Sequence, residues 1–162
     1  YNLMTPEEET FLETKVHLKA EITGLLAGRI AEKLVFDQVT TGAHNDFQKA
    51  TYIARAMVTE YGMSSLGPIQ YERNTGNVFL GRDYMTDKNF SDQVALEIDQ
   101  EVRKIINECY NLGEETLKEH RKLLDLIAQH LVEIETLTKE DITNILVRIV
   151  TESQEKTEEN IK

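Results

Sequence analysis

The run T-T-G-A-H-N-D-F-Q-K-A-T, residues 40 to 51, sets one aspartate, Asp46, in the first turn of an expected helix, just after a glycine turn. Successive helix residues turn by about 100°. On that wheel Ile53 and Met57 fall within about 20° of Asp46, and Ala43, Phe47, Ala50, Ala54 and Tyr61 fill out the same apolar face. A carboxylate on an inward face is costly unless a hydrogen bond, a cation or a metal offsets its desolvation. Two roles fit the position. Asp46 could bond the free N–H groups of the helix start, where negative charge is favoured, or it could ligate a metal.

A catalytic zinc takes three protein ligands and keeps a position open for water. The usual helical source of two ligands and a general base, H-E-x-x-H, does not occur. The histidines are His17, His44, His120 and His130, and no two of them stand three or four residues apart. His44 and Asp46 lie about 160° apart on a helix, so they could share a metal only if His44 belongs to the turn. His17, His120 and His130 read as surface or partly covered residues. No phosphate-cradling glycine loop and no G-x-S-x-G elbow is present. The one cysteine, Cys109, has no identifiable base and sits on an apolar helical stripe, so it reads as core. The acidic pairs Glu7/Glu8 and Glu114/Glu115 read as solvated helix faces. By its own residues the chain holds no complete catalytic set.

Composition narrows the partners. With 18 basic and 29 acidic residues the formal charge is −11, which repels phosphate backbones and argues against nucleic acid. A single cysteine excludes an internal disulfide and multi-cysteine zinc sites and fits a reducing compartment. There is no signal peptide and no apolar run of membrane-spanning length, so the chain itself is expected to be soluble. It opens on Tyr1 rather than methionine, the expected start of a piece of something longer.

These candidates need helices to position them. Proline occurs only at Pro6 and Pro68, which leaves long stretches uninterrupted. Thr5, Pro6, Glu7 and Glu8 signal a helix start, and the pattern predicts a helix from Pro6 to Leu34. Leu12, Val16 and Ala20 begin its apolar stripe, and the half from Ile22 to Val35 is expected to be buried. Gly24, Ala27, Gly28 and Ala31 offer a small-residue face for close approach of another helix. The Asp46 helix runs to about Tyr61 and stops at Gly62. Pro68–Tyr71 and Asn77–Leu80 are expected strands of a small hairpin, followed by an exposed loop to Phe90. Ala95, Ile98, Val102, Ile105, Cys109, Leu112 and Thr116 form a heptad-like seam on a long helix, read as packing within one domain. A second seam follows at Leu124, Ile127, Leu131 and Ile134. Thr138 with Asp141 resembles a capping box opening a last helix with Ile142, Ile145, Leu146 and Ile149. The expected fold is mainly α, a helical bundle-like domain over residues 1–150 with one small β-hairpin, and a disordered polar tail over 151–162.

The order of these segments resembles one family. The landmarks are Leu25-Leu-Ala-Gly-Arg-Ile-Ala-Glu32, Val35-Phe36, Thr41-Gly-Ala-His-Asn-Asp46 and Ala50-Thr-Tyr-Ile-Ala-Arg-Ala-Met-Val-Thr-Glu-Tyr-Gly-Met63. Leu66-Gly-Pro68, Phe79-Leu-Gly-Arg82, Glu97-Ile-Asp-Gln-Glu-Val-Arg103, Ile105-Ile106 and Glu135-Thr-Leu137 continue the match. Over about residues 1 to 148 the chain resembles the C-terminal part of the peptidase domain of the FtsH-type ATP-dependent zinc metalloproteases, peptidase family M41. The resemblance implies a mainly helical peptidase domain behind an AAA+ ATPase module and transmembrane segments. It implies a homo-hexameric ring in the cell membrane, with this domain on the cytoplasmic side, that degrades unfolded and membrane polypeptides. Zn2+ is implied as cofactor, with ATP and Mg2+ used by the ATPase module. The zinc would be held by the two histidines of an H-E-x-x-H helix and a distant aspartate that matches Asp46, and the general base would be that motif's glutamate. The reaction implied is metal-assisted peptide hydrolysis.

The H-E-x-x-H segment, the ATPase module and the membrane spans are expected upstream of Tyr1. This chain would then supply one zinc ligand and helical scaffold, and be inactive alone. The alternative from another class is a non-catalytic helical interaction or oligomerisation module using its heptad-like seams.

Overall fold

The computed structural model describes residues 12–72 and 90–148. The chain divides into two compact units, Tyr1–Glu114 and Glu115–Lys162. As expected, it is mainly α. Helix α1 spans Lys15–Phe36, α2 His44–Thr59, α3 Asp92–Glu119 and α4 Arg121–Ile134, and residues 139–148 are also helical.

Helix α1 does not run unbroken from Pro6. Residues 12–14 are non-helical, and the helix opens where the Thr14 hydroxyl accepts the His17 N–H at 3.1 Å. A hydroxyl that satisfies an orphan donor makes a better start than continued helix. The helix ends with Asp37 in the left-handed region, φ 51°, its N–H returned to the Lys33 carbonyl. The buried stripe is Leu18, Ile22, Leu26 and Ile30, whereas Leu12, Val16, Val35 and Phe36 are exposed. Burial is thus confined to one face instead of spreading around the second half of the helix.

In the first unit α1 packs against α2. From α2 come Ala50, Ala54, Ala56, Met57 and Val58, and from the first part of α3 Ile98, Val102, Ile105 and Cys109, all buried. Each fully buried Ile, Leu or Met side chain contributes about 1.5–3 kcal/mol over exposure. Burial also raises the pKa of the Cys109 thiol, which agrees with a core residue rather than a nucleophile. The close approach between helices uses a different glycine from those expected. At Gly113 on α3 an added Cβ would stand 2.8 Å from Ile30 Cδ1 and 3.3 Å from Thr23 Cγ2. Gly24 and Gly28 are exposed, and Gly28 has open space around it among the described residues.

The stripe on α3 departs from the heptad reading near its end. Ile98, Val102, Ile105, Cys109 and Gly113 are buried, while Leu112 is 54% exposed. Steps of four, three, four and four follow a straight helix rather than a 3.5-residue seam. The stripe is buried within this chain, which favours intramolecular packing over an assembly surface.

After α2 the chain folds back on the helix end. Thr59 is fully buried and donates its hydroxyl to the Arg55 carbonyl. Its own carbonyl accepts the N–H groups of Tyr71 at 2.8 Å and Glu72 at 3.3 Å. Gly62 stands at φ +60°, where a Cβ would lie 2.8 Å from Pro68 Cα, so the glycine stop is enforced by both torsion and space. Arg55 grips Glu72 through Nε and Nη2 at 3.2 and 2.7 Å and reaches Asp99 at 3.5 Å. Pro68–Tyr71 is not a strand in the described residues, since the Tyr71 N–H serves the α2 carbonyl. Its expected partner Asn77–Leu80 and the loop that follows it to residue 89 lie outside the described residues, as do the helix start at Pro6 and the tail 151–162.

In the second unit the expected capping box forms. Thr138 N–H donates to Asp141 Oδ2 at 2.8 Å, and Asp141 N–H donates to Thr138 Oγ1 at 3.2 Å. The same pairing lowers the Asp141 pKa. Ile145 is buried there, and Leu131, Ile134, Ile142 and Leu146 are exposed.

Ile98 is fully buried and Leu112 is not, although the heptad reading gives them equal weight. Ile98→Asp is expected to unfold the first unit, because an unpaired buried carboxylate costs several kcal/mol against a domain stability of about 5–15 kcal/mol. Leu112→Asp is expected to change stability by less than about 1 kcal/mol. Circular-dichroism melts of the two variants beside the parent chain check both expectations.

Candidate metal centre

Asp46 sits in the first turn of α2. The turn that delivers it is a single 3-10 turn, Thr41–Ala43, capped by Thr40, whose hydroxyl accepts the Gly42 N–H at 3.2 Å. The His44 N–H bonds the Thr41 carbonyl, and α2 begins there without a side-chain cap of its own.

Thr40 is itself held from α1. Glu32 accepts the Thr40 N–H at 3.3 Å through Oε2 and the Thr40 hydroxyl at 2.8 Å through Oε1. Arg29 donates through Nη2 to the Thr40 carbonyl. The Arg29 guanidinium also lies 5.0 Å from the ring centroid of Phe47, the residue beside Asp46. Its Nε stands 3.9 Å from Glu32 Oε2 and has no hydrogen-bond partner among the described residues. One turn of α1 therefore fixes the backbone before the 3-10 turn and touches the first turn of α2 beyond it. Sequence reasoning does not find these contacts. Arg29 and Glu32 sit in the quoted L-L-A-G-R-I-A-E run, but their target lies eight to eleven residues on, outside any helical or strand period.

Asp46 is half-buried, and its carboxylate makes no hydrogen bond or ion pair among the described residues. The bond to free N–H groups of the helix start is not formed among the described residues. Its neighbours are partly as expected. Ala43, Ala50, Ala54 and Met57 are buried, Ile53 is half-buried, and Phe47 and Tyr61 are exposed by 37% and 54%. Asp46 thus stands at the edge of the buried face. One turn further along, Gln48, Lys49, Tyr52 and Ile53 line a groove with Glu21 of α1, about 380 Å³ in volume.

His44 is exposed and helical, at φ −56° and ψ −48°. It belongs to the helix rather than to the turn, which directs it away from Asp46. His17 pairs with Glu13 at 3.4 Å on the surface, and His130 Nδ1 lies 3.0 Å from the Leu126 carbonyl. No three of His, Cys, Asp and Glu converge on a common point among the described residues. What the structure offers a metal here is one hard oxygen donor, on a half-buried residue at a helix start, with no partner among the described residues. That donor fits zinc as one of the three ligands a catalytic site needs.

A family model described as "Peptidase family M41" matches residues 1–145. The chain belongs to peptidase family M41. Similar proteins carry the name "ATP-dependent zinc metalloprotease FtsH". One from Acholeplasma laidlawii is 61% identical over 145 residues, covering 90% of this chain and 23% of that protein. One from Bacillus subtilis is 52% identical over 148 residues, covering 90% and 23%. One from Aster yellows witches'-broom phytoplasma is 50% identical over 162 residues, covering 99% and 22%. The chain thus spans just under a quarter of the length of these curated M41 relatives. Among the described residues no helix is long and apolar enough to cross a membrane.

Two hydrogen bonds from Thr40, the hydroxyl first, lower the Glu32 pKa. A lowered folded-state pKa gives stability that is present above the unfolded value and is lost as pH falls through the folded value. The stability margin of the parent chain over Glu32→Gln is therefore expected to hold above the ordinary glutamate value of 4.5 and to fade below it. Denaturant unfolding of both proteins across a pH series measures the margin. A margin unchanged from neutral pH to well below that value would show that the carboxylate is not what holds Thr40.

Proposed function

We propose that residues 1–150 are the C-terminal part of the proteolytic domain of an ATP-dependent zinc metalloendopeptidase, and that Asp46 is its aspartate zinc ligand. The observation that carries the ligand role is Asp46 itself, half-buried, its carboxylate without a partner among the described residues, and presented by the G-A-x-N-D turn of an M41 chain. A carboxylate in that position is an anionic oxygen donor with its lone pairs available to a cation. A bound zinc supplies Lewis-acid activation of water and of the scissile carbonyl.

The chain's own contribution is positional. Asp46 binds from one side, α1 holds the turn that carries it, and α3 backs α1 through the Gly113 contact. The remaining ligands and the general base belong to an H-E-x-x-H segment elsewhere in the full-length protein. One carboxylate is too few for tight zinc binding, so this chain alone neither holds zinc nor cleaves peptides. The full-length protein acts on unfolded and membrane polypeptides as a homo-hexamer anchored in the cell membrane, with this domain on the cytoplasmic side. ATP and Mg2+ are used by a separate module.

In the full-length protein, Asp46→Ala is expected to abolish proteolysis while ATP hydrolysis stays within about twofold of the parent, because nucleotide chemistry sits apart from the metal site. Degradation of an unfolded protein and phosphate release, measured on the same preparation, test this. Degradation at the parent rate would remove Asp46 from the metal site.

A further inference from the structure

We propose that Arg29 is a positioning residue for Asp46, acting through two contacts that bracket the turn between α1 and α2; this rests on the ligand role of Asp46 stated above. Before the turn, Arg29 donates to the Thr40 carbonyl. After it, the same guanidinium packs 5.0 Å from the Phe47 ring centroid. Phe47 adjoins Asp46 in the first turn of α2, so one rigid cation spans from the residue before the turn to the neighbour of the carboxylate.

Arginine suits this task. Its planar fork donates from one nitrogen while the face of the group stacks on an aromatic ring. The side chain is only 14% exposed, so it has little freedom to drift. The partner is well held too, since Glu32 binds Thr40 through both its N–H and its hydroxyl. Arg29 touches no metal. It sets where the ligand stands, and groups that orient metal ligands typically affect metal affinity by about 10- to 100-fold. A lysine keeps the charge but has no fork, so it makes one contact at the expense of the other.

The test uses zinc-loaded full-length protein and competition with a chromogenic chelator, with circular dichroism melting on each variant. Arg29→Ala is expected to weaken zinc retention at least about tenfold at native melting temperature, with Arg29→Lys intermediate. Because Arg29 acts through Asp46, the Arg29→Ala/Asp46→Ala double variant is expected to lose no more zinc affinity than Asp46→Ala alone. If Arg29→Ala melts early, Arg29→Lys decides: native melting with weakened zinc supports the proposal, and native melting with parental zinc affinity overturns it. Parental zinc retention in Arg29→Ala, while Asp46→Ala releases the metal, overturns the role of Arg29 and leaves that of Asp46 standing. Parental retention in Asp46→Ala overturns both.

Discussion

Three atoms of Thr40 are bound by two side chains on one turn of α1, and the placement of Asp46 depends on that attachment. Arg29 takes the carbonyl, and Glu32 takes the N–H and the hydroxyl. The hydroxyl then caps the 3-10 turn by accepting the Gly42 N–H. A short connection between helices has many accessible backbone states, and fixing each residue costs about 1–2 kcal/mol of entropy. The charged hydrogen bonds from Arg29 and Glu32 offset part of that cost. The result is a helix start whose carboxylate is located by α1 rather than by its own cap.

The rest of the first unit supports α1. Helix α1 packs on α2, its stripe from Leu18 to Ile30 is buried, and the missing side chain of Gly113 lets α3 come within contact of Ile30. Arg55 and Glu72 tie the segment after α2 back onto that helix, and the Thr59 carbonyl completes the closure. Both ends of α2 are thus anchored, one by the Arg29–Glu32 pair and the other by Thr59 and Arg55. A side chain on an element held at both ends has little freedom to reorganise.

Much of this was legible in the sequence because it depends on local period or local chemistry. The helical class, the glycine stop at Gly62, the capping box of Thr138 with Asp141 and the core role of Cys109 all rest on residues a few positions apart. What was not legible depends on tertiary partners. The α1 stripe was expected to begin at Leu12 and Val16, but periodicity cannot choose between two apolar faces when only one has a neighbour. The small-residue face of Gly24 and Gly28 invited a close helix, yet that contact was made by a glycine of the other helix. The strand expected at Pro68–Tyr71 gave way to the α2 carbonyl, which no strand propensity anticipates. Asp46 was found by its place on the wheel, while the pair that positions it left no periodic trace.

Zinc-edge anomalous diffraction from crystals of the zinc-loaded full-length protein tests the role of Asp46 most directly. The expected result is a zinc peak about 2.0–2.2 Å from an Asp46 carboxylate oxygen, the range for carboxylate ligands. A fully occupied zinc whose coordination shell excludes Asp46 would contradict it.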